Sequence, residues 1–135
     1  MTTRQKLLVR AARKARTRAF APFSRFKVGA AVETRGGRIY TGCNIESASY
    51  GLTLCAERVA LFTALAAGER KIHRIAVVAA TARLTPPCGA CRQIIWELCG
   101  DSEIILANLK GKTRVVRSRG LLPKPFDASL LARGG

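Results

Sequence analysis

Apolar and polar positions alternate with two distinct periods along the chain, and the switches between them mark out its elements. Leu7, Leu8, Ala11, Ala12, Ala15 and Ala19 recur at helical spacing with basic residues between them, which predicts an amphipathic helix over residues 3–18. Thr2-Thr3-Arg4-Gln5 ahead of this run fits a capping box, with Thr2 as N-cap and Gln5 three residues on. Phe26–Glu33 and Arg38–Ile45 read as two strands joined by an Arg35-Gly36-Gly37 turn. Thr53–Ala67 reads as an Ala- and Leu-rich helix with Thr53 as a possible N-cap and Gly68 as its stop. Arg74–Ala80 contains a short apolar run of buried-strand type. After the Pro86-Pro87 break, Gly89–Cys99 reads as a helix ended by Gly100. Ile104–Asn108 and Thr113–Arg117 read as strands around a Lys110-Gly111 turn, and Ala128–Leu131 as a last helical turn. The order β-β-α-β-α-β-β behind a leading helix implies one mixed sheet with helices on its faces.

Composition narrows the class. The 135 residues are expected to form one domain over 1–135, and a hydrophobic share of 48% excludes a disordered chain. The longest stretches free of charge, Ser47–Ala56 and Val59–Gly68, are ten residues each and too short to span a membrane. No apolar signal core stands near the start, so a cytoplasmic location is expected. The Arg-rich start has some transit-peptide character, but it holds no Ser and leaves no spare length before the expected domain. The net charge of +16 is unevenly spread. Residues 1–32 hold nine basic residues and no acid, residues 33–103 are nearly neutral, and residues 104–135 hold seven basic residues and one acid. A site for polyanions would be basic throughout, so the expectation is a solvated basic surface with weak, non-specific polyanion binding through the ends.

The chemistry concentrates in the neutral middle. Cys55, Cys88 and Cys91 all lie at starts of helices, where the positive end of the helix dipole and free backbone N–H groups favour thiolates. Cys88 and Cys91 share a helix face and can hold one metal. Three protein ligands leave a fourth position for water, the mark of a catalytic zinc site. Cys43, Cys99 or His73 could close the site, but Cys43 sits in a strand, Cys99 lies about 12 Å along the third helix from Cys91, and His73 is remote from the helix starts. A redox Cys-x-x-Cys would need a thioredoxin-like setting that the neighbouring segments do not provide. Glu57 points away from Cys55 on the helix, so it is placed to move protons rather than to bind metal.

Cys55-Ala56-Glu57 with the later Pro87-Cys88-Gly89-Ala90-Cys91 resembles the zinc-dependent deaminases. Phe26-Lys27-Val28-Gly29-Ala30-Ala31, Gly42-Cys43-Asn44-Ile45-Glu46, Cys55-Ala56-Glu57-Arg58, Cys88-Gly89-Ala90-Cys91-Arg92-Gln93 and Leu121-Leu122-Pro123 with Phe126 narrow it to the small homotetrameric cytidine deaminases of the three-cysteine type. The resemblance implies a three-layer α/β/α sandwich with a mixed five-stranded sheet. It also implies one Zn²⁺ per chain on Cys55, Cys88 and Cys91, with Glu57 as the catalytic proton carrier. Asn44 and Glu46 would bind the ribose, Ala56 would offer its backbone to the pyrimidine edge, and Phe26 would pack on the base. Phe126 would reach a neighbouring subunit's site. Arg58 would donate to thiolate sulfurs and offset the excess negative charge of three thiolates on Zn²⁺. The implied reaction is hydrolysis of cytidine and deoxycytidine to uridine and deoxyuridine in pyrimidine salvage. A deaminase for a modified nucleoside or an antibiotic of the blasticidin S kind is the nearest alternative, and a nucleic-acid-binding or editing deaminase the next. The sequence departs from its relatives near Ala80, where they often carry Asp.

Overall fold

The structure is a computed structural model, described here for residues 1–131. Helix α1 (Thr3–Arg16) is followed by strands β1 (Val28–Thr34) and β2 (Ile39–Cys43), helix α2 (Ala56–Ala66) and strand β3 (Ile72–Ala79). Helix α3 (Gly89–Cys99), strands β4 (Glu103–Ala107) and β5 (Thr113–Arg117), and the short helix α4 (Ser118–Leu121) complete the order, with single 3₁₀ turns at Tyr50–Leu52 and Ala128–Leu131. The sheet order is β2-β1-β3-β4-β5. All neighbours are antiparallel except β3 and β4, whose parallel pairing requires the crossover that α3 provides.

Side chains alternate faces along a strand, so each uninterrupted apolar run feeds two cores at once. Ala30, Val32, Ile75, Val77, Ile104 and Leu106 pack beneath α2 and α3. Ala31, Ala76, Val78, Ile105 and Ala107 pack against Leu8 and Ala12 of α1 on the opposite face. This is the expected α/β/α sandwich with a mixed five-stranded sheet. A fully buried Leu such as Leu61 adds about 1.5–3 kcal/mol of hydrophobic stabilisation.

Small residues let the helices approach closely. A Cβ at Gly29 would fall 2.0 Å from the Ala12 carbonyl oxygen of α1, and one at Gly42 would fall 2.4 Å from the Ala60 amide nitrogen of α2. The capping box at Thr2 and Gln5 is formed, with both reciprocal bonds in place. Boundaries move by a few residues from the sequence reading. β1 begins at Val28 because the Phe26 and Lys27 carbonyls are taken by side chains, accepting from Asn44 Nδ2 at 2.8 Å and from Arg16 Nε at 3.1 Å. α1 ends at Arg16, where the Thr17 amide turns back to donate to the Lys14 carbonyl at 3.1 Å. Thr53 does not cap α2: its hydroxyl accepts from the Ser47 amide, and Cys55 occupies the N-cap position. No described helix is long and apolar enough to cross a membrane.

Candidate active site

The chain leaving β2 builds one wall of the site. Its Asn44–Glu46 segment is tied on both sides by backbone hydrogen bonds. The Phe20 amide donates to the Asn44 carbonyl at 2.9 Å and the Glu46 amide to the Phe20 carbonyl at 2.9 Å. On the other side Ile45 and Leu54 exchange two bonds of 3.0 Å each. The second pairing delivers Cys55, the next residue, to the N-terminus of α2 beside Asn44.

The starts of α2 and α3 converge, and with them three cysteines. Cys55 is the N-cap of α2, Cys88 is the N-cap of α3, and Cys91 lies in the first turn of α3. Their sulfurs all lie within 4.8 Å of one another, with Cys55 Sγ and Cys88 Sγ 3.7 Å apart. A tetrahedral zinc with Zn–S bonds of about 2.3 Å places its sulfurs about 3.8 Å apart, so this donor set fits zinc. Among the described residues it is the one such group of potential ligands. Cys43 and Cys99 lie outside it as thiols that burial pushes up, Cys99 to about 12. His73 is exposed on β3. The site therefore keeps three protein ligands.

The electrostatics match. Hydrogen bonds from the Cys91 thiol, the Arg58 guanidinium and the Cys88 thiol hold Cys55 down to about 5 despite its partial burial. The shared proton and burial push Cys91 up. Arg58 Nη2 donates to Cys55 Sγ at 3.5 Å and to the Thr53 carbonyl at 3.4 Å. Three thiolates on Zn²⁺ leave a net charge of −1, and a guanidinium fixed against one sulfur offsets it. Glu57 is 4% exposed in the first turn of α2, and burial pushes its carboxyl up to about 7. A carboxyl poised there exchanges protons readily near neutral pH.

These groups open onto a cavity of about 180 Å³ that Phe26, Asn44, Glu46, Ala56 and Glu57 help to line. Asn44 Oδ1 accepts from the Val28 amide at 2.9 Å, and its Nδ2 donates to the Phe26 carbonyl at 2.8 Å. Asn44 thus holds the backbone of Phe26 as well as facing the cavity. Glu46 Oε1 accepts from the Phe23 and Ser24 amides at 2.9 and 3.0 Å, and Oε2 accepts from the Ser24 hydroxyl. The Ser24 hydroxyl, the largest cause, holds the Glu46 carboxyl below its ordinary value.

Ser24 and Thr85 also line the cavity and escaped the sequence reading. Nothing in their local sequence singles out a Ser before an Arg or a Thr before two prolines. Arg92 stood in the sequence motif without a role, and the structure gives it one: Nε donates to the Pro87 carbonyl at 2.8 Å and Nη1 to the Leu121 carbonyl at 3.1 Å, fixing the loop that carries Cys88. Phe126 is not among the residues that line this cavity. It is half exposed, and its carbonyl accepts from Gln93 Nε2 at 2.6 Å.

Comparison with known proteins places this geometry in context. Residues 1–108 match the cytidine and deoxycytidylate deaminase zinc-binding region. The cytidine deaminase of Halalkalibacterium halodurans is 50% identical over 125 residues, covering 92% of this chain and 95% of that protein. The cytidine deaminase of Sporosarcina psychrophila is 47% identical over 121 residues, covering 89% of each. The crystal structure of cytidine deaminase from Burkholderia pseudomallei superposes with a TM-score of 0.88 at 50% identity, covering 93% of this chain and all of that one. With the zinc-binding region matched over residues 1–108 and the fold shared with a solved cytidine deaminase, the chain belongs to the cytidine deaminase family.

Proposed function

We propose that this protein is a cytidine deaminase, converting cytidine or deoxycytidine and water to uridine or deoxyuridine and ammonia in the cytoplasm, as a step of pyrimidine salvage. The observation that carries the reading is Glu57, buried in the lining of the 180 Å³ cavity beside three convergent cysteine sulfurs. Cys55, Cys88 and Cys91 would hold zinc, which supplies the Lewis acidity that makes water a nucleophile near neutral pH. Glu57 takes one proton from the attacking water as its oxygen joins C4. It passes that proton to ring N3, then takes a second from the new C4 hydroxyl and hands it to the departing amino group as the C4–N bond breaks and the C4 carbonyl forms. Arg58 keeps charge off the Cys55 sulfur. Phe26 covers the base, the Ala56 backbone meets the pyrimidine edge, and Asn44 and Glu46 receive the ribose hydroxyls. A carboxylate placed to accept from a ribose hydroxyl favours a nucleoside over a free base.

The same reading makes the protein a homotetramer with shared sites. Phe126 would enter a neighbour's cavity, which suits its exposure and its distance from its own chain's pocket lining. Phe23 and Tyr50, exposed in the hollow that adjoins the cavity at Ser24, Glu46 and Thr53, would be covered by the same association.

The test is an ultraviolet assay of the purified protein on cytidine, with zinc measured on the same sample and mass measured by sedimentation. Turnover with one zinc per chain is expected. A fully zinc-loaded protein that leaves cytidine and deoxycytidine unchanged would overturn the assignment. A fully active monomer would overturn the shared-site part alone.

A further inference from the structure

Cytidine carries no net charge, so its deamination does not account for a chain with 24 basic and 8 acidic residues. The acids do not balance the surplus locally. Glu33 and Glu103 are engaged by Arg74, Glu69 by Arg38 and Asp101 by Arg117, and the others serve the site or accept hydrogen bonds. Part of what remains lines up on one outer surface. Leu8, Ala12 and Ala15 bury one side of α1, which turns Lys6, Arg10, Arg13 and Lys14 outward on the opposite side. None of these four has an acidic partner among the described residues. Arg13 Nη1 donates to the Leu109 carbonyl at 3.2 Å and so brings the exposed Lys110-Gly111-Lys112 turn alongside the ridge. Cations of the N-terminal third and the C-terminal third of the sequence thereby become one surface.

The arrangement costs the helix stability. Lys6 with Arg10, and Arg10 with Arg13 and Lys14, are like-charge neighbours at spacings of three and four. The helix dipole favours Arg13 and Lys14 near the C-terminus but disfavours Lys6 nearer the positive end, where the first turn carries no acid. A stripe of cations held against this repulsion points to an external anion that spans it.

We propose that the outward ridge of α1, with the adjoining Lys110–Lys112 turn, binds the phosphate backbone of nucleic acid. The apolar side of α1 is spent on the sheet, with Leu8 fully buried, so little apolar surface remains to enter a lipid surface. The segments that carry the six cations, residues 3–16 and 109–112, hold no aromatic residue. The surface therefore grips phosphates without stacking bases, takes duplex at least as well as single strands, and reads no sequence.

The experiment measures binding of labelled duplex and single-stranded DNA over a salt series, with cytidine turnover and sedimentation on the same samples. Three proteins are compared: wild type, a ridge variant (Lys6→Gln, Arg10→Gln, Lys14→Gln) and a control of equal charge (Arg70→Gln, Lys71→Gln, Lys124→Gln). Wild type should bind duplex at low salt and lose affinity by orders of magnitude towards physiological salt. The ridge variant should bind about tenfold or more weakly, with a salt slope shallower by roughly two to three, since each phosphate no longer neutralised lowers it by about 0.9. The control should stay close to wild type. Both variants should keep wild-type turnover and mass. Equal loss in the control would assign the effect to net charge and overturn the ridge. Absence of duplex binding at low salt would overturn it as well. So would ridge-dependent binding to phosphatidylserine vesicles without ridge-dependent binding to DNA.

Discussion

Gly42 of β2 and Ala60 of α2 are in backbone contact: a Cβ on Gly42 would fall 2.4 Å from the Ala60 amide nitrogen and 2.7 Å from the Ala56 carbonyl oxygen. The approach sets the height of α2 above the sheet, and with it the level of Cys55 and Glu57. Gly42→Ala must push the helix away, because the obstructing atoms are backbone and cannot turn aside. Overpacking of this kind costs about 1–3 kcal/mol, several degrees in melting temperature. Zinc content and turnover should fall with it. A variant with unchanged melting point and zinc would mean that α2 is not held by this contact.

The three sulfurs should behave as one metal centre. Cys88→Ala or Cys91→Ala should lose zinc and melt at lower temperature, since metal binding by such a donor set is coupled to folding. Chelation of wild type should reproduce the loss, and added zinc should restore wild type but neither variant. Full metal retention in both variants would remove them from the ligand set.

Glu57→Gln preserves shape and the helix start but cannot carry protons. It should keep zinc and fold while turnover drops by at least about 10²–10⁴-fold, the usual worth of one general acid–base group. Turnover within tenfold of wild type would show that another base operates.

Ser24 and Glu46 give a pH prediction. Hydrogen bonds led by the Ser24 hydroxyl hold the Glu46 carboxyl below its ordinary value, so the charged acceptor persists as pH falls and is lost only below that lowered value. Ser24→Ala should raise the pKa, and the acid-side rise in KM for cytidine should then begin at higher pH. The kcat at neutral pH should change less than KM. An unchanged acid limb for KM would show that Glu46 does not hold the ribose through its ionised form.

Glu33 supplies a contrast outside the site. It is 3% exposed and pairs with Arg4 and, at 3.4 Å, with Arg74, which is itself mostly buried. Removing one member of a buried pair strands the other charge, so Glu33→Ala should cost about 3–5 kcal/mol. The cytidine KM of the folded fraction should be unchanged. A loss under about 1 kcal/mol by denaturant titration would mean Arg74 is adequately served by Glu103 and water.

Much of this was legible in the residue order. Periodicity alone marked the helices and strands, because a stripe of Leu and Ala on α1 or an unbroken Ile75–Val78 run has only one way to bury itself. Cys55, Glu57, Cys88 and Cys91 stood out because their spacing relative to helix starts is local, and local spacing survives folding. Three matters needed the tertiary structure. The closing distance between Cys55 and Cys88, 3.7 Å across 33 residues of sequence, depends on how α2 and α3 settle on the sheet. The grip of Ser24 on Glu46 spans 22 residues, and an ordinary Ser carries no mark of it until the chain folds back. The joining of two basic ends into one ridge rests on Arg13 reaching Leu109 from 96 residues away. Periodicity reports which face of an element is buried, whereas contacts between elements are set by how closely their backbones approach, and here that was decided by glycines and alanines whose effect appears only in three dimensions.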